Sequence, residues 1–583
     1  MVGLQAVVSP HHTTVRMQAL TALETVRVSV IEADLVVTNA HIHTMNPQAP
    51  TASWFAVLGG DIVAVGTGDD VPPAKEVRDV GGACVVPGFH DTHCHTVWFG
   101  LSLAELDCTT FGTLDALYDG LADATSALAP GQWVLATGFN QERFGGHYPD
   151  IAKLDRALPH HPLFMRHTSG HAAIVNTLAL ELSDVVSTLA NADGGGVDGG
   201  AASGGVSGGA VVVDASGHPT GVLEETAQIL IQQLLLPKSE AELVAAIDRA
   251  SRVYSSEGIT SFSDTGIAGG WIGHSPREFA AYQAANDRGV LRQRAQLLPV
   301  SDVLHPLPGH SDDPAIHTLD MGIRTGLGGE KLSIGPVKIF LDGSMLAWTG
   351  AVSEPFSAGP VDNYGYFQAE EAVLRETMLQ AAAGGWSIAA HAIGDRAVSL
   401  ALDTFQEAIT RHGKPAIPHR IEHGGVVTDA QVAQAAGLGV AIVTQPGFMP
   451  ALGVQMREAM GQAREPLLHR HKSLLDAGVL AGGSSDRPVA TGTPLEVMSS
   501  MVLRQDATGY VVAPNERVSV YEALWSYTQG SAQVTGVAGR RGSIEPGKVA
   551  DFVVLDKDIL TTPPEALPGI QVQETWVGGT RVF

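Results

Sequence analysis

The sequence predicts an α/β protein centred on a (β/α)8 TIM barrel, joined to a composite β-sandwich from both chain ends and carrying an inserted α/β subdomain. Three observations carry that prediction. Eight short apolar runs recur between residues 84 and 485, and several end in a histidine, lysine or aspartate. A barrel places its chemistry in this way, at the C-terminal ends of its strands. Short alternating runs between Gly and Asp turns stand near both ends of the chain, the mark of small half-buried antiparallel strands. Between the first apolar run and the second lies a stretch, 101–240, too long for one crossover.

Taken in order, residues 1–32 contain His11, His12, Arg16 and Arg27 but no continuous apolar core before a cleavage-type site, so they do not read as a secretory signal. They are expected to be a flexible extension and an oligomer contact, with a homodimer as the candidate assembly, or the product of an upstream start codon. Residues 33–86 hold Leu35-Val36-Val37, Trp54-Phe55-Ala56-Val57 and Ile62-Val63-Ala64-Val65, and residues 541–583 repeat the style through Phe552-Val553-Val554-Leu555 and Glu574-Thr575-Trp576-Val577. Two half-sheets at opposite ends of the chain suggest one sandwich. The barrel is assigned to 87–100 and 241–540, with strands at 84–90, 259–263, 294–298, 335–341, 386–391, 419–423, 440–444 and 479–485. Residues 101–240 have their own apolar segments, Trp133 to Ala136 and Pro162 to Met165, and are expected over the barrel mouth. Within them 194–209 is almost all Gly, Ala, Ser, Val and Asp, too little apolar surface to order itself, so a mobile loop is expected.

The most informative frame is His93-Cys94-His95, within Pro87-Gly88-Phe89-His90-Asp91-Thr92-His93-Cys94-His95. Alternate residues of a strand point the same way, so two histidines at i and i+2 offer two imidazoles to one point, as a divalent metal requires. With 23 histidines in the chain such a pair is weak alone. Partners follow it in order. Lys338 lies in Val337-Lys338-Ile339-Phe340, His391 ends Ser387-Ile388-Ala389-Ala390, His423 ends His419-Arg420-Ile421-Glu422, and Asp486 closes the run from Val479. They fall on the first, fourth, fifth, sixth and eighth predicted strands.

This pattern resembles the amidohydrolase superfamily, and within it the amidohydrolase-3 branch, which includes N-substituted formamide deformylases. The resemblance runs from about residue 33 to the C-terminus. It rests on Pro87 to His95, Lys338 to Ser344 with Thr349, His391 to Arg396, Arg420 to His423, Ser485 to Val489, and the tail from Gly542 to Leu555. It implies a metal-dependent enzyme, with one or two divalent ions and zinc expected, that hydrolyses a C–N bond in a small non-peptide substrate such as an N-substituted formamide or another N-acyl amide. His93 and His95 would bind the more buried ion and His391 and His423 a second, bridged by Lys338 carboxylated by carbon dioxide. A plain ammonium at Lys338 has no lone pair and would leave the site mononuclear. A metal lowers the pKa of bound water towards ~7. Asp486 is expected to be a ligand and also the general base and acid, taking the proton of the activated water and passing it to the leaving amine. Asp342 and Asp395 lie just beyond their strands and are expected to orient ligands. Glu422 alternates with His423, so it is expected to point away from the metal and serve structure. The resemblance also places His171 and Glu225 near the substrate. Trp98, Phe99, Trp348 and Phe448 follow barrel strands and are expected to line an apolar pocket. His90 stands where an aliphatic residue is commoner.

Composition excludes other classes. The net charge of −26 is spread along the chain and argues against nucleic acid or anionic membranes, which need basic surfaces. No segment approaches the ~20 apolar residues of a membrane span. The three cysteines, Cys84, Cys94 and Cys108, form no CxxC pair, and a reducing cytoplasm is the default compartment. Among rival chemistries, a purine or pyrimidine deaminase would need a glutamate where Gly394 stands. A cyclic amidase of the hydantoinase or dihydroorotase kind fits the ligands equally well, but the inserted block resembles the linear-amide branch more. A catalytically inactive binding or regulatory relative would have no need to keep His93, His95, Lys338, His391, His423 and Asp486 together.

Overall fold

The computed structural model describes residues 32–183, 185, 203–206, 209–270, 272–313 and 316–583. The N-terminal extension up to residue 31 and most of the Gly-rich stretch 194–209 lie outside them. The core is a TIM-barrel-type α/β arrangement. Phe89–Cys94 pairs in parallel with Ile259–Ile267, that strand with Arg294–Pro299, and that in turn with Leu332–Ile334. A parallel bridge from Val300 to Lys338 leads on to Val337–Phe340, Ile388–Ala392, Arg420–His423 and Ala441–Val443, all parallel. Ala441 then bridges Leu480, while the Thr92 and Asp486 amides donate to the carbonyls of Gly483 and His93.

Helices between these strands follow from local sequence. Ser239 with Glu242 and Thr428 with Gln431 form reciprocal caps at the starts of Glu240–Ser256 and Asp429–Leu438. The Asp395–His412 helix buries Ala397, Val398, Ala401, Leu402, Phe405 and Ala408, a stripe at three- and four-residue spacing. That stripe packs on Ile388, Ala390, Ile421 and Ile442 of the strands in one apolar cluster. Polar ends therefore collect at one rim while apolar faces are spent inside.

The expected strand 84–90 is two strands. Cys84–Pro87 pairs with His41–His43 and with Phe552–Leu555, so it belongs to the six-stranded sheet built from both chain ends. The chain crosses into the barrel at Gly88, where a Cβ would stand 2.2 Å from Thr260 Oγ1; only glycine permits that approach. The expected strand 335–341 is found as Val337–Phe340, preceded by the separate strand Leu332–Ile334, and 479–485 runs beside its neighbours with little regular pairing. Leu35, Val37, Phe55 and Val57 pack on Phe552 and Trp576 between the six-stranded sheet and a four-stranded one. Within 101–240, seven strands form one sheet running from Leu106–Asp107 to Ser203–Val206. Residues 203–206 pair antiparallel with Gly209–Val213, so part of the stretch expected to be a loop is strand.

Candidate metal centre

His93 and His95 end the Phe89–Cys94 strand, both buried. The Asp486 carboxylate closes on them, with Oδ1 at 3.2 Å from His93 Nε2 and 2.9 Å from His95 Nε2. These three ligand atoms lie within 4.8 Å of one another. The protons cannot satisfy this arrangement alone. His95 Nδ1 lies 2.7 Å from the Thr265 carbonyl, which only accepts, so Nδ1 carries the hydrogen and a neutral ring turns its Nε2 lone pair to the carboxylate. His93 Nδ1 bonds Glu422, and its buried Nε2 makes no hydrogen bond. Two imidazole lone pairs and an anion facing one point fit a divalent cation.

His391 and His423 stand beside this group. Their ring centroids are 4.5 Å apart, and His423 is 4.9 Å from His93. His391 Nε2 donates to the Gly343 carbonyl at 3.0 Å. His423 Nδ1 donates to Gln445 Oε1 at 2.9 Å; the glutamine's orientation is set by its own Nε2, which donates to the Val443 carbonyl and Ser484 Oγ. Each of the four histidines thus has one nitrogen tied to an acceptor, leaving the other available. Burial, then neighbouring cations, hold His391 and His423 well below the usual histidine range, so both are neutral bases.

Lys338 is buried beside them, its Nζ 4.9 Å from the centre of the Phe340 ring. Burial pushes its pKa down to about 8 against the opposing charges of Glu422 and Asp486. All six residues border one cavity of about 660 Å³ including its mouth, together with His171, Trp98 and Phe448. Apolar walls come from Phe340, Ile393, Leu452 and Met456.

Other candidates sit elsewhere. Glu225 does not border the cavity; its Oε2 accepts from His171 Nδ1 at 2.8 Å and its Oε1 from Thr349 Oγ1 at 3.0 Å, so it holds His171 from behind. Trp348 is turned by a positive φ of 56° and lays its indole over Gly359 instead of the cavity. Phe99 stacks on Tyr254 beneath the Arg487 guanidinium. Asp395 binds Ser353 at the helix start, half-buried, away from the histidines. The Asp342 carboxylate accepts from the amides of Ala351, Ile393 and Gly394, and its Oδ1 lies 3.6 Å from His391 Nε2.

Glu422 corrects the sequence expectation. It faces His93 and is gripped by Arg420. The alternation argument failed because His423, the last residue of the strand, has φ 77°, so its side chain no longer alternates with that of Glu422. The Arg420-x-Glu422 spacing, two opposite charges on one strand face, was the available signal. Asp91 was also missed. It receives Ser485 Oγ–H and the amides of Ser485 and His93, fastening the Asp486 segment to the first strand. His469 borders the cavity too, burial pushing its pKa down to about 3. His90 is buried with neither ring nitrogen hydrogen-bonded among the described residues.

A barrel whose strand ends gather imidazoles, a carboxylate and a depressed lysine around one cavity defines a metal-dependent hydrolase. The chain belongs to the Amidohydrolase family, in its amidohydrolase-3 branch: the family's sequence profile matches residues 76–583. It acts on C–N bonds. It is similar to the N-substituted formamide deformylase of Arthrobacter pascens, 29% identical over 560 residues, 94% of this chain and 97% of the relative. It is 28% identical to Protein LONG AFTER FAR-RED 3 of Arabidopsis thaliana over 567 residues, 95% of this chain and 92% of that one. Among solved structures it resembles an uncharacterized metal-dependent hydrolase from Pyrococcus horikoshii OT3, with a TM-score of 0.69 and 25% identity over 91% of this chain and 99% of the other.

Proposed function

We propose that this protein hydrolyses the amide bond of a small non-peptide substrate, an N-substituted formamide or other N-acyl amide, using one or two zinc ions. The observation that carries the proposal is the convergence of His93 Nε2, His95 Nε2 and Asp486 Oδ1, with both histidines' other nitrogens already engaged. A bound divalent ion supplies Lewis acidity and lowers the pKa of a water in its shell. His93 and His95 hold the inner position, and His391 and His423 an outer one. Asp486 accepts the proton of the attacking water and returns it to the leaving nitrogen. Glu422, Thr265 and Gln445 fix which imidazole nitrogen stays free. His171, backed by Glu225, hydrogen-bonds the substrate carbonyl, while Trp98 and Phe448 receive its apolar group.

Lys338 belongs to the same proposal: once carboxylated, it would help hold the metal. Its depressed pKa keeps a share of the amine neutral near pH 7, the form that attacks carbon dioxide and loses one proton to give a carbamate. The same reading takes 33–86 with 541–583 as one sandwich, 101–240 as a subdomain over the mouth, a cytoplasmic location and a homodimer.

The test is metal content by plasma mass spectrometry on wild type and Lys338→Ala, with turnover of a panel of formamides and N-acyl amines. About two ions in wild type, falling together with activity in the variant, is the expected result. One ion unaffected by the substitution would remove Lys338 from the site. No metal and no turnover after reconstitution would overturn the enzymatic assignment.

A further inference from the structure

A second histidine–aspartate cluster lies where the two ends of the chain meet. His41 and His43 occupy alternate positions of a strand, with Ile42 between them buried in the sheet core. The pleat therefore sends both imidazoles to one side. Asp558, just past the Phe552–Leu555 strand, meets them there: His43 Nε2 is 2.8 Å from Oδ1 and His41 Nδ1 is 3.2 Å from Oδ2. The three ligand atoms lie within 4.8 Å of one another, and the two rings have centroids 4.7 Å apart.

The carboxylate is built into its turn. Asp558 Oδ1 accepts the Leu560 amide at 2.9 Å, and its carbonyl accepts both the amide and the Oγ1–H of Thr562. His43 is buried, while the His41 side chain is 50% exposed, so the cluster opens to solvent on one side. Cys84 pairs with His41 across the strands, but burial, with the Asp558 charge adding to it, pushes its thiol up to about 12; it remains protonated.

We propose that His41, His43 and Asp558 form a structural site for a divalent transition ion, zinc foremost, distinct from the catalytic centre. Zinc bonds of ~2.0–2.2 Å set ligand atoms roughly 3.3–3.6 Å apart in a tetrahedron; the His43–Asp558 contact at 2.8 Å opens toward that spacing, and all three ligand atoms already lie within 4.8 Å of one another. Two imidazoles and one carboxylate favour zinc, nickel or copper over magnesium or calcium. The fourth position lies open to water on the exposed side. The ligands join residues 515 apart in sequence, so the ion clips the start of the folded chain to its end, the geometry in which a cross-link most restricts the unfolded state.

The experiment uses the full chain with its catalytic metal retained, cleared of loosely held ions on a chelating resin. Zinc is then titrated into wild type, His41→Ala and Asp558→Asn, with bound metal counted after desalting and the thermal midpoint recorded. Wild type is expected to retain one more zinc per chain than either variant. Zinc should raise the wild-type midpoint alone, and amide hydrolysis should be unchanged in His41→Ala. Magnesium should do none of this. Equal zinc in wild type and His41→Ala, or retention only at millimolar zinc, would overturn the site. If Asp558→Asn fails to fold through loss of its turn, the half-exposed His41→Ala decides the matter.

Discussion

At His93 the choice of free nitrogen is made by Glu422, and that dependence gives a direct prediction. Although burial opposes its ionisation, Glu422 is held well below the carboxylate range by Arg420 and by His93. Its charge keeps the hydrogen on His93 Nδ1 and leaves Nε2 for the metal. Glu422→Gln removes that charge and strands the fully buried Arg420 guanidinium. Loss of such an outer partner weakens metal binding by about 10–100-fold, and an unpaired buried charge costs about 3–5 kcal/mol. Competition with a chelator should therefore show the weaker affinity and a melting curve the lower midpoint. Unchanged affinity would mean that Glu422 does not set the His93 tautomer.

At the scale of elements, the two aspartates that follow barrel strands separate cleanly. Asp342 bonds three backbone amides from two different loops, those at Ala351 and at Ile393 and Gly394, so it ties the ends of two neighbouring strands together. An asparagine there presents a donor to at least one N–H, and a buried amide left unpaired costs about 1–3 kcal/mol. Asp342→Asn should lower kcat/KM by at least tenfold with metal content largely kept. Asp395→Asn should alter only the helix start, by about 0.3–1 kcal/mol, and leave turnover alone. Parallel kinetics on the two variants check this, and equal losses would refute the distinction.

The same comparison shows what the sequence disclosed. The structure brings His93, His95, Lys338, His391, His423 and Asp486 to one cavity; all but Lys338 close an apolar run, and strand ends are where a barrel exposes side chains. Asp395 followed the same logic one turn too far, where the chain had already become helix. Glu422 was misplaced because the positive φ at His423 breaks the periodicity on which strand reasoning depends, and Trp348, which lies beyond its strand, is turned by its own positive φ. The break at Gly88 was hidden because its cause, Thr260, is distant in sequence.

For the whole molecule, acid stability follows from how many titrating groups were buried in each sense. His90, His167, His274, His391, His419, His423, His469 and His471 are all depressed by burial, His274 and His469 to about 3 and His167, His419 and His471 to about 4. Between those values and 6.5 the unfolded chain binds protons that the native chain cannot, so stability is complete above pH 6.5 and lost as pH falls towards 4. Four buried carboxylates act oppositely. Asp91 and Asp264 are raised to about 6 and Glu278 and Asp342 to about 7, again by burial, and their contribution fades as pH rises through 6 to 7. The histidines depressed by burial outnumber the acids raised by it, so unfolding takes up protons near pH 5 and acid lowers stability. Metal ligation among these histidines adds in the same direction, since protonation competes with the ion. The thermal midpoint should therefore be highest above pH 6.5 and fall steeply to pH 4.5. His419→Gln, at a site remote from the metal ligands and stacked on Phe405, should make that slope shallower by about one proton. Calorimetry in buffers of different ionisation enthalpy measures the uptake directly, and a midpoint constant from pH 7 to 4.5 would show that the buried carboxylates cancel the histidines completely.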